Sequence, residues 1–373
     1  MMEKRKTVGI ITMHRVINCG SALQAYALQR VIQEMGFDAE IIDYIYPNQY
    51  HKKKYKINGI KGYIKELYRI GQRVWNKMNF KRFYDNFFVL SKISYKTKED
   101  LSKNVPVYDI YVSGSDQVWN PKTIDFDTSY MLSWVKVGKK IAYSGSFASS
   151  VIPEKYKAVY SKALSDYDYL SVREKHSLNI LKELSGKSAE FVLDPTLLLD
   201  AKSWDRVVND ADVDIKEDYI LVYLLGYSFN IYPYASDLIN HVSEKYNKKV
   251  VVLSMSNIFI NKLNNKTVIR RLSPQNFLSL IAKASLVITD SFHATAMSLN
   301  FGVPMYSLIK DKKSEDNRVY SILLSMKAED RAIEKGASFD NLPPITMDYT
   351  TIKETLADIR NNSLHYLKTA LIG

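Results

Sequence analysis

The chain has 373 residues, 46% apolar and 25% charged, which excludes a disordered polymer and leaves room for two domains of ordinary size. Its 52 Lys and Arg against 40 Asp and Glu give a formal charge of +12, favouring anionic partners. The single cysteine, Cys19, excludes an internal disulfide and a cysteine-built metal site, and no apolar run approaches the ~20 residues of a membrane-spanning helix.

The N-terminus is basic, but its apolar run from Val8 to Met13 is too short for a signal peptide, so a cytoplasmic protein is expected. Val8 to Thr12 reads as a strand and Met13 to Gly20 as a loop. Ser21 reads as the cap of a helix whose stripe Leu23, Ala27, Val31 and Met35 keeps a four-residue spacing. Gly36 stops that helix, and Glu40 to Tyr44 returns as a strand.

From Lys52 to Arg82 the chain is dense in Lys and Arg, and Glu66 is its only acid. Ile60, Ile64, Leu67, Val74, Trp75 and Met78 are interleaved at roughly helical spacing. Such a segment suits a solvated helix docked on its domain. It also suits a helix on an anionic membrane, with Ile64, Leu67 and Trp75 entering the headgroups.

Asp109 to Val112 is the next strand and opens into the polar loop Ser113 to Asn120. Lys140–Tyr143, Tyr169–Val172 and Phe191–Leu193 are further strands, with helical stretches between them. This alternation predicts an α/β fold with a parallel, doubly wound sheet. Leu193-Asp-Pro-Thr-Leu197 and the acidic stretch from Asp200 to Asp218 read as a hinge. The expected division is therefore a Rossmann-like domain over 1–197, with a basic helical insertion at about 50–100, and a second Rossmann-like domain over 198–349. A terminal helix over 350–373, striped by Ile352, Leu356, Ile359 and Leu367, is expected to pack back on the first domain.

The second series runs through strand Tyr219–Leu225, helix Tyr234–Tyr246, strand Val250–Ser254 and helix Gln275–Lys283, capped by Ser273 with Pro274 following. Then comes VITDSFHATAMSLNFGVP, Val287 to Pro304. Leu286 to Ile288 is a buried strand, and Thr289, Asp290 and Ser291 are turn and cap residues. His293 falls in the first turn of a helix stopped by Gly302 and Pro304, and Met305–Ile309 is the next strand. A helix N-terminus beyond a strand end offers free N–H groups and partial positive charge, as a phosphorylated ligand requires. An ordinary cap beside a partly exposed histidine is the plainer account of the same residues.

Four polar segments fall at strand ends or in the loops after them: Asn18–Ser21, Ser113–Asn120, Arg173-Glu174 and Asp290–His293. In two α/β domains facing each other across a cleft, such ends converge. Arg173 is placed to grip a carboxylate or phosphate as a planar fork, or else to form a surface pair with Glu174. Asn18-Cys19-Gly20-Ser21 admits a ligand close to its backbone, but it is not a G-x-G-x-x-G fingerprint, and no P-loop pattern is present.

NCGSALQAYALQ, YDIYVSGSDQVWN, YLSVRE, VLDPT and ITDSFHATAMSLNFGVP follow in order from Asn18 to Pro304. Together they resemble the polysaccharide pyruvyl transferase family. The resemblance implies a two-domain fold similar to the GT-B glycosyltransferases. It also implies transfer of pyruvate from phosphoenolpyruvate to a sugar of a bacterial surface polysaccharide, such as a capsule or exopolysaccharide, as a ketal. Cys19 departs from the aromatic residue often found at its place in the family, and it is expected to be a small buried side chain. Within this scheme Arg173 and the helix after Asp290 hold the donor's anionic groups, and Ser291 adds a hydroxyl. His293 transfers protons, and Asp116 orients or deprotonates the attacking sugar hydroxyl. Asn18, Gly20, Ser21, Ser115 and Gln117 complete the substrate-binding set.

No cofactor or metal is required, and phosphoenolpyruvate is a donor substrate. The expected partners are that donor and a sugar or lipid-linked oligosaccharide acceptor, with peripheral contact at the inner face of the cell membrane. Nucleic acid is not expected, because the charge is concentrated in one insertion without a recognised motif. A nucleotide-sugar glycosyltransferase on the same fold is the alternative activity.

Overall fold

Val8, Ile10 and Ile11 are completely buried, and this defines the first strand of a parallel sheet whose both faces are covered. The computed structural model describes residues 5–45, 59–122, 127–253, 260–313 and 317–373, and no side chain over 59–69. Two compact units result. One comprises Met1–Tyr55, Tyr84–Leu199 and Asp358–Gly373, and the other comprises Lys56–Phe83 and Asp200–Ala357.

The first unit follows the order β1 (Thr7–Ile11), α1 (Cys19–Glu34), β2 (Asp38–Tyr44), the end of α2 (Gly59–Phe87), β3 (Leu90–Tyr95), α3 (Lys98–Lys103), β4 (Ile110–Ser113) and β5 (Lys139–Ala142). α4 (Glu154–Leu164), β6 (Ser171–Val172), α5 (Ser177–Ser185) and β7 (Glu190–Phe191) follow. Its main sheet has the order β3-β2-β1-β4-β5, and β6 pairs with β7 in a separate ladder. Every pairing in both is parallel. Tyr169 was expected within the β6 strand, but it makes only an isolated bridge to Ile141, so the strand itself is short.

The second unit contains α6 (Asp205–Val208), β8 (Tyr219–Tyr223), α7 (Tyr234–Tyr246), β9 (Lys249–Leu253), β10 (Lys266–Ile269), α8 (Pro274–Ala282), β11 (Leu286–Thr289) and α9 (Phe292–Phe301). β12 (Met305–Ile309), α10 (Arg318–Ser325), β13 (Ala332–Glu334) and the start of α11 (Thr350–Ile372) complete it. Its sheet, β10-β9-β8-β11-β12-β13, is also parallel throughout. Ser273 caps α8 by accepting from Asn276 N at 3.0 Å, and Gly302 at φ +69° ends α9, a conformation that glycine adopts without a Cβ clash.

Of the basic insertion expected at about 50–100 in the first domain, Lys56–Phe83 belongs to the second unit and the remainder to the first. Lys52 to Lys56 lie outside the described residues, as do the side chains of Lys61, Ile64, Lys65, Leu67 and Arg69. The last part of α11, Asp358 onward, belongs to the first unit, where Ser363 Oγ accepts from Leu193 N at 3.0 Å and Arg360 Nε donates to the Leu197 carbonyl at 2.5 Å. Among the described residues no helix is long and apolar enough to cross a membrane.

Candidate functional site

Each sheet reverses its winding once, between β1 and β4 in the first unit and between β8 and β11 in the second. Loops leaving adjacent carboxyl ends diverge there and open a crevice. In both units a carboxylate from the later strand's loop is tied to the loop or helix after the earlier strand.

In the first unit that carboxylate is Asp116. Ser21 Oγ donates to its Oδ2, and Gln117 N donates to its Oδ1 at 2.8 Å. Ser21 had been expected to cap α1, but extended Asn18 takes the cap and accepts from Ser21 N at 3.3 Å. The Ser21 hydroxyl, one turn in, is thereby turned toward Asp116. Asp116 sits at φ +77°, in the left-handed region that Asp tolerates better than most residues, and such strain recurs at functional sites. Gly20 and Cys19 are buried beside it, and burial pushes the Cys19 thiol well up, leaving it a small apolar packing residue. Gln117 accepts from Asn120 Nδ2 at 2.7 Å.

Beneath Asp116 lies a closed polar cluster. Ser115 Oγ donates to Asp194 Oδ2 at 2.9 Å, and its carbonyl accepts from Thr12 Oγ1 at 2.9 Å. Arg173 Nη1 donates to Asp194 Oδ2 at 2.7 Å and Nε to Glu174 Oε1 at 3.2 Å, with all three side chains at most 1% exposed. Burial works against the arginine's charge, but Glu174, Asp194 and Asp116 outweigh it and hold its pKa above the ordinary value. Neither expected role for Arg173, a grip on a substrate oxyanion or a surface pair, is what the structure shows. The guanidinium pairs with two internal carboxylates, so Arg173 ties the loop after β6 to the segment after β7, and Asp194 in turn ties that segment to the loop after β4 through Ser115.

A second cluster escaped the sequence reading. His14 and Asp43, beyond β1 and near the end of β2, are both buried, with His14 Nε2 3.0 Å from Asp43 Oδ1 and Nδ1 3.1 Å from the Thr12 carbonyl. Arg15 donates to both oxygens of Asp43, at 2.6 and 2.7 Å, and Ser94 Oγ donates to Oδ2. Burial pushes Asp43 up, but His14, Arg15 and Ser94 together hold it well below the usual carboxylate range.

In the second unit the tied carboxylate is Asp290. Its two oxygens accept from Leu225 N and Gly226 N, each at 2.7 Å, which fastens the loop after β8 to the loop after β11. Burial nevertheless raises its pKa above the ordinary value, against the pull of these amides. Ser291 caps α9, accepting from Ala294 N at 3.4 Å, so its hydroxyl already serves the helix. His293 follows in the first turn with its ring edge-on to Phe292, the centroids 5.2 Å apart. It is 8% exposed, not the partly exposed residue expected at a cap.

The structure thus brings Asn18, Gly20, Ser21, Ser115, Asp116 and Gln117 around one switch point, with Arg173 beneath, and Asp290, Ser291 and His293 around the other. Asp194 and Asp43, which anchor the buried polar clusters, were not singled out from the sequence. Asp194 stands within VLDPT, which reads as a hinge because of its proline. Nothing local marks Asp43, whose partner His14 is 29 residues away.

Comparison with solved structures finds likeness over nearly the whole chain. A protein assigned as UDP-N-acetylglucosamine 2-epimerase from Listeria monocytogenes has a TM-score of 0.54 at 13% identity, covering 99% of this chain and 91% of that one. The S. aureus MnaA-UDP co-structure gives 0.53 at 12% identity, with 98% and 91% covered. The UDP-GlcNAc 2-epimerase of Methanocaldococcus jannaschii gives 0.50 at 14%, with 96% and 93% covered. At these identities the likeness shows the fold alone, which is GT-B-like. Comparison with curated proteins finds no match. The sequence profile of the polysaccharide pyruvyl transferases matches residues 18–309, which takes in every candidate residue from Asn18 to His293, and the chain belongs to the polysaccharide pyruvyl transferase family.

Proposed function

We propose that the protein transfers pyruvate from phosphoenolpyruvate to two hydroxyls of one sugar in a bacterial surface polysaccharide or its precursor, forming a ketal and releasing phosphate. The observation that carries this reading is the family match over 18–309, which includes a titratable side chain, His293, in the first turn of a helix beyond a switch point. The donor brings a phosphate and a carboxylate, and the N–H groups and partial positive charge of the α9 N-terminus suit either.

The chemistry proceeds by proton addition to the donor's methylene carbon, which places positive charge on the adjacent carbon. One sugar hydroxyl attacks that carbon and loses its proton. Departure of phosphate and attack by a second hydroxyl, whose proton is taken up by the departing phosphate, then complete the ketal. His293 is assigned the proton delivery, as the group suited to transfer near neutrality. Asp116 is assigned the attacking hydroxyl, which it orients and relieves of its proton, with Ser21 holding the carboxylate in place. Arg173, Asp194 and Glu174 are positioning residues for the loop that carries Asp116. The enzyme is assigned to the cytoplasm, where phosphoenolpyruvate is available as donor.

Incubation with phosphoenolpyruvate and galactose- or mannose-type acceptors tests the reading. Release of phosphate with an acceptor mass gain of pyruvate minus water supports it. Turnover only with a nucleotide sugar replaces it with glycosyl transfer.

A further inference from the structure

Helix α2 buries one face and leaves a second apolar face in water. Asn76, Phe80 and Phe83 are buried at helical spacing, and beside them Asn79 Nδ2 donates to the Leu272 carbonyl at 3.3 Å. At 3.6 residues per turn, Val74 and Met78 lie on the opposite side of the helix, and they are 52% and 60% exposed. Ile70 and Trp75 flank them at 47% and 46% exposure. Lys77 and Lys81 are exposed along the same side. A helix merely docked on its domain would carry polar residues here, because apolar side chains gain nothing from facing water.

We propose that this outer face of α2 lies on an anionic lipid bilayer, with Val74 and Met78 entering the headgroup region and Lys77 and Lys81 reaching lipid phosphates. An apolar centre edged by lysines is the pattern of interfacial helices, whose long stems let the ammonium stay in the polar layer. The charge is complementary over most of the helix: the sequence from Lys52 to Arg82 holds Glu66 as its only acid within a chain of net charge +12, and exposed Asp85 follows one turn after Lys81 at the end of the same face. The partner is a membrane surface, independent of which reaction the protein catalyses.

Sedimentation of the full chain with vesicles of phosphatidylcholine alone, and of phosphatidylcholine with phosphatidylglycerol, tests the proposal. Binding is expected to the anionic vesicles, to fall with added salt, and to be weakened about thirtyfold in K77Q/K81Q. V74S/M78S, which keeps the charge, is expected to lose about tenfold or more. Trp119, Trp134 and Trp204 are buried, so a blue shift of tryptophan emission on binding reports Trp75. Equal binding to both vesicle types, or V74S/M78S binding as tightly as the parent chain, overturns the proposal. So does V74S/M78S altering self-association while vesicle binding stays unchanged. Vesicle binding by a protein that fails to transfer pyruvate leaves this inference intact and removes only the proposed function.

Discussion

Arg173 Nη1 donates to Asp194 Oδ2 across 2.7 Å, although 21 residues separate them in the chain and neither side chain is more than 1% exposed. A charge so enclosed is stable only while its partners are present, because desolvation is expensive and the paired carboxylates are what repay it. We expect Arg173→Met to cost about 3–5 kcal/mol in urea unfolding, since it leaves Glu174 and Asp194 buried without a cation. Arg173→Lys should fall between the two, keeping the charge but not the fork that reaches both carboxylates. Full stability with a raised KM for phosphoenolpyruvate would instead place Arg173 on the donor.

Asp116→Asn isolates the charge at the first switch point. Asparagine tolerates the left-handed backbone at φ +77° as aspartate does and still accepts one hydrogen bond, so the fold should persist. The loss expected is in kcat, by roughly 10²-fold or more, with the KM for the donor little changed. Ser21→Ala should produce a smaller loss in the same parameter, because it frees the carboxylate without removing it. A near-normal kcat for Asp116→Asn would exclude it as the group acting on the sugar hydroxyl.

The elements were legible wherever punctuation and period agreed. Ser273 with Pro274, and Ser291 with Gly302, mark the ends of α8 and α9 because caps act through their nearest neighbours. Tyr234–Tyr246 and Met305–Ile309 have the bounds their patterns imply. β10 was missed because Lys266–Ile269 is half-buried at a sheet edge and has no clean alternation. The direct contact of Ser21 with Asp116 was also not legible. Their proximity depends on β1 lying beside β4, a pairing between segments about a hundred residues apart. Arg173 shows the same limit: its place directly after a strand singled it out, but only tertiary packing decided that its partners are internal.

Asp43 is expected to contribute to the acid limb of stability. Burial raises its pKa, but His14, Arg15 and Ser94 hold the folded value below the unfolded carboxylate value of ~3.9. A depressed carboxylate contributes its stability above that unfolded value and loses it as the pH falls through the folded one. Asp43→Asn should therefore destabilise the protein at neutral pH and narrow the difference between unfolding midpoints measured at neutral pH and near pH ~3. Asp290 works with the opposite sign. Its raised pKa makes the charged form costly at neutral pH, and the cost fades as the pH falls through the folded value toward ~3.9. An acid limb in Asp43→Asn as steep as that of the parent chain would assign the effect to other carboxylates.

His293 decides the chemistry assigned to the second unit. The residue is 8% exposed in the first turn of α9, so truncation removes packing against Phe292 as well as a proton carrier. We expect His293→Ala to remain folded and to lose kcat by roughly 10²–10⁴-fold, the range for removal of a general acid or base. His293→Gln separates the two contributions, because glutamine fills much of the same space and offers hydrogen bonds but does not titrate. Both variants should be equally inactive, with the glutamine variant the more stable in thermal unfolding. Recovery of turnover in His293→Gln would show that the side chain acts by shape, and the proton would then have to come from another group.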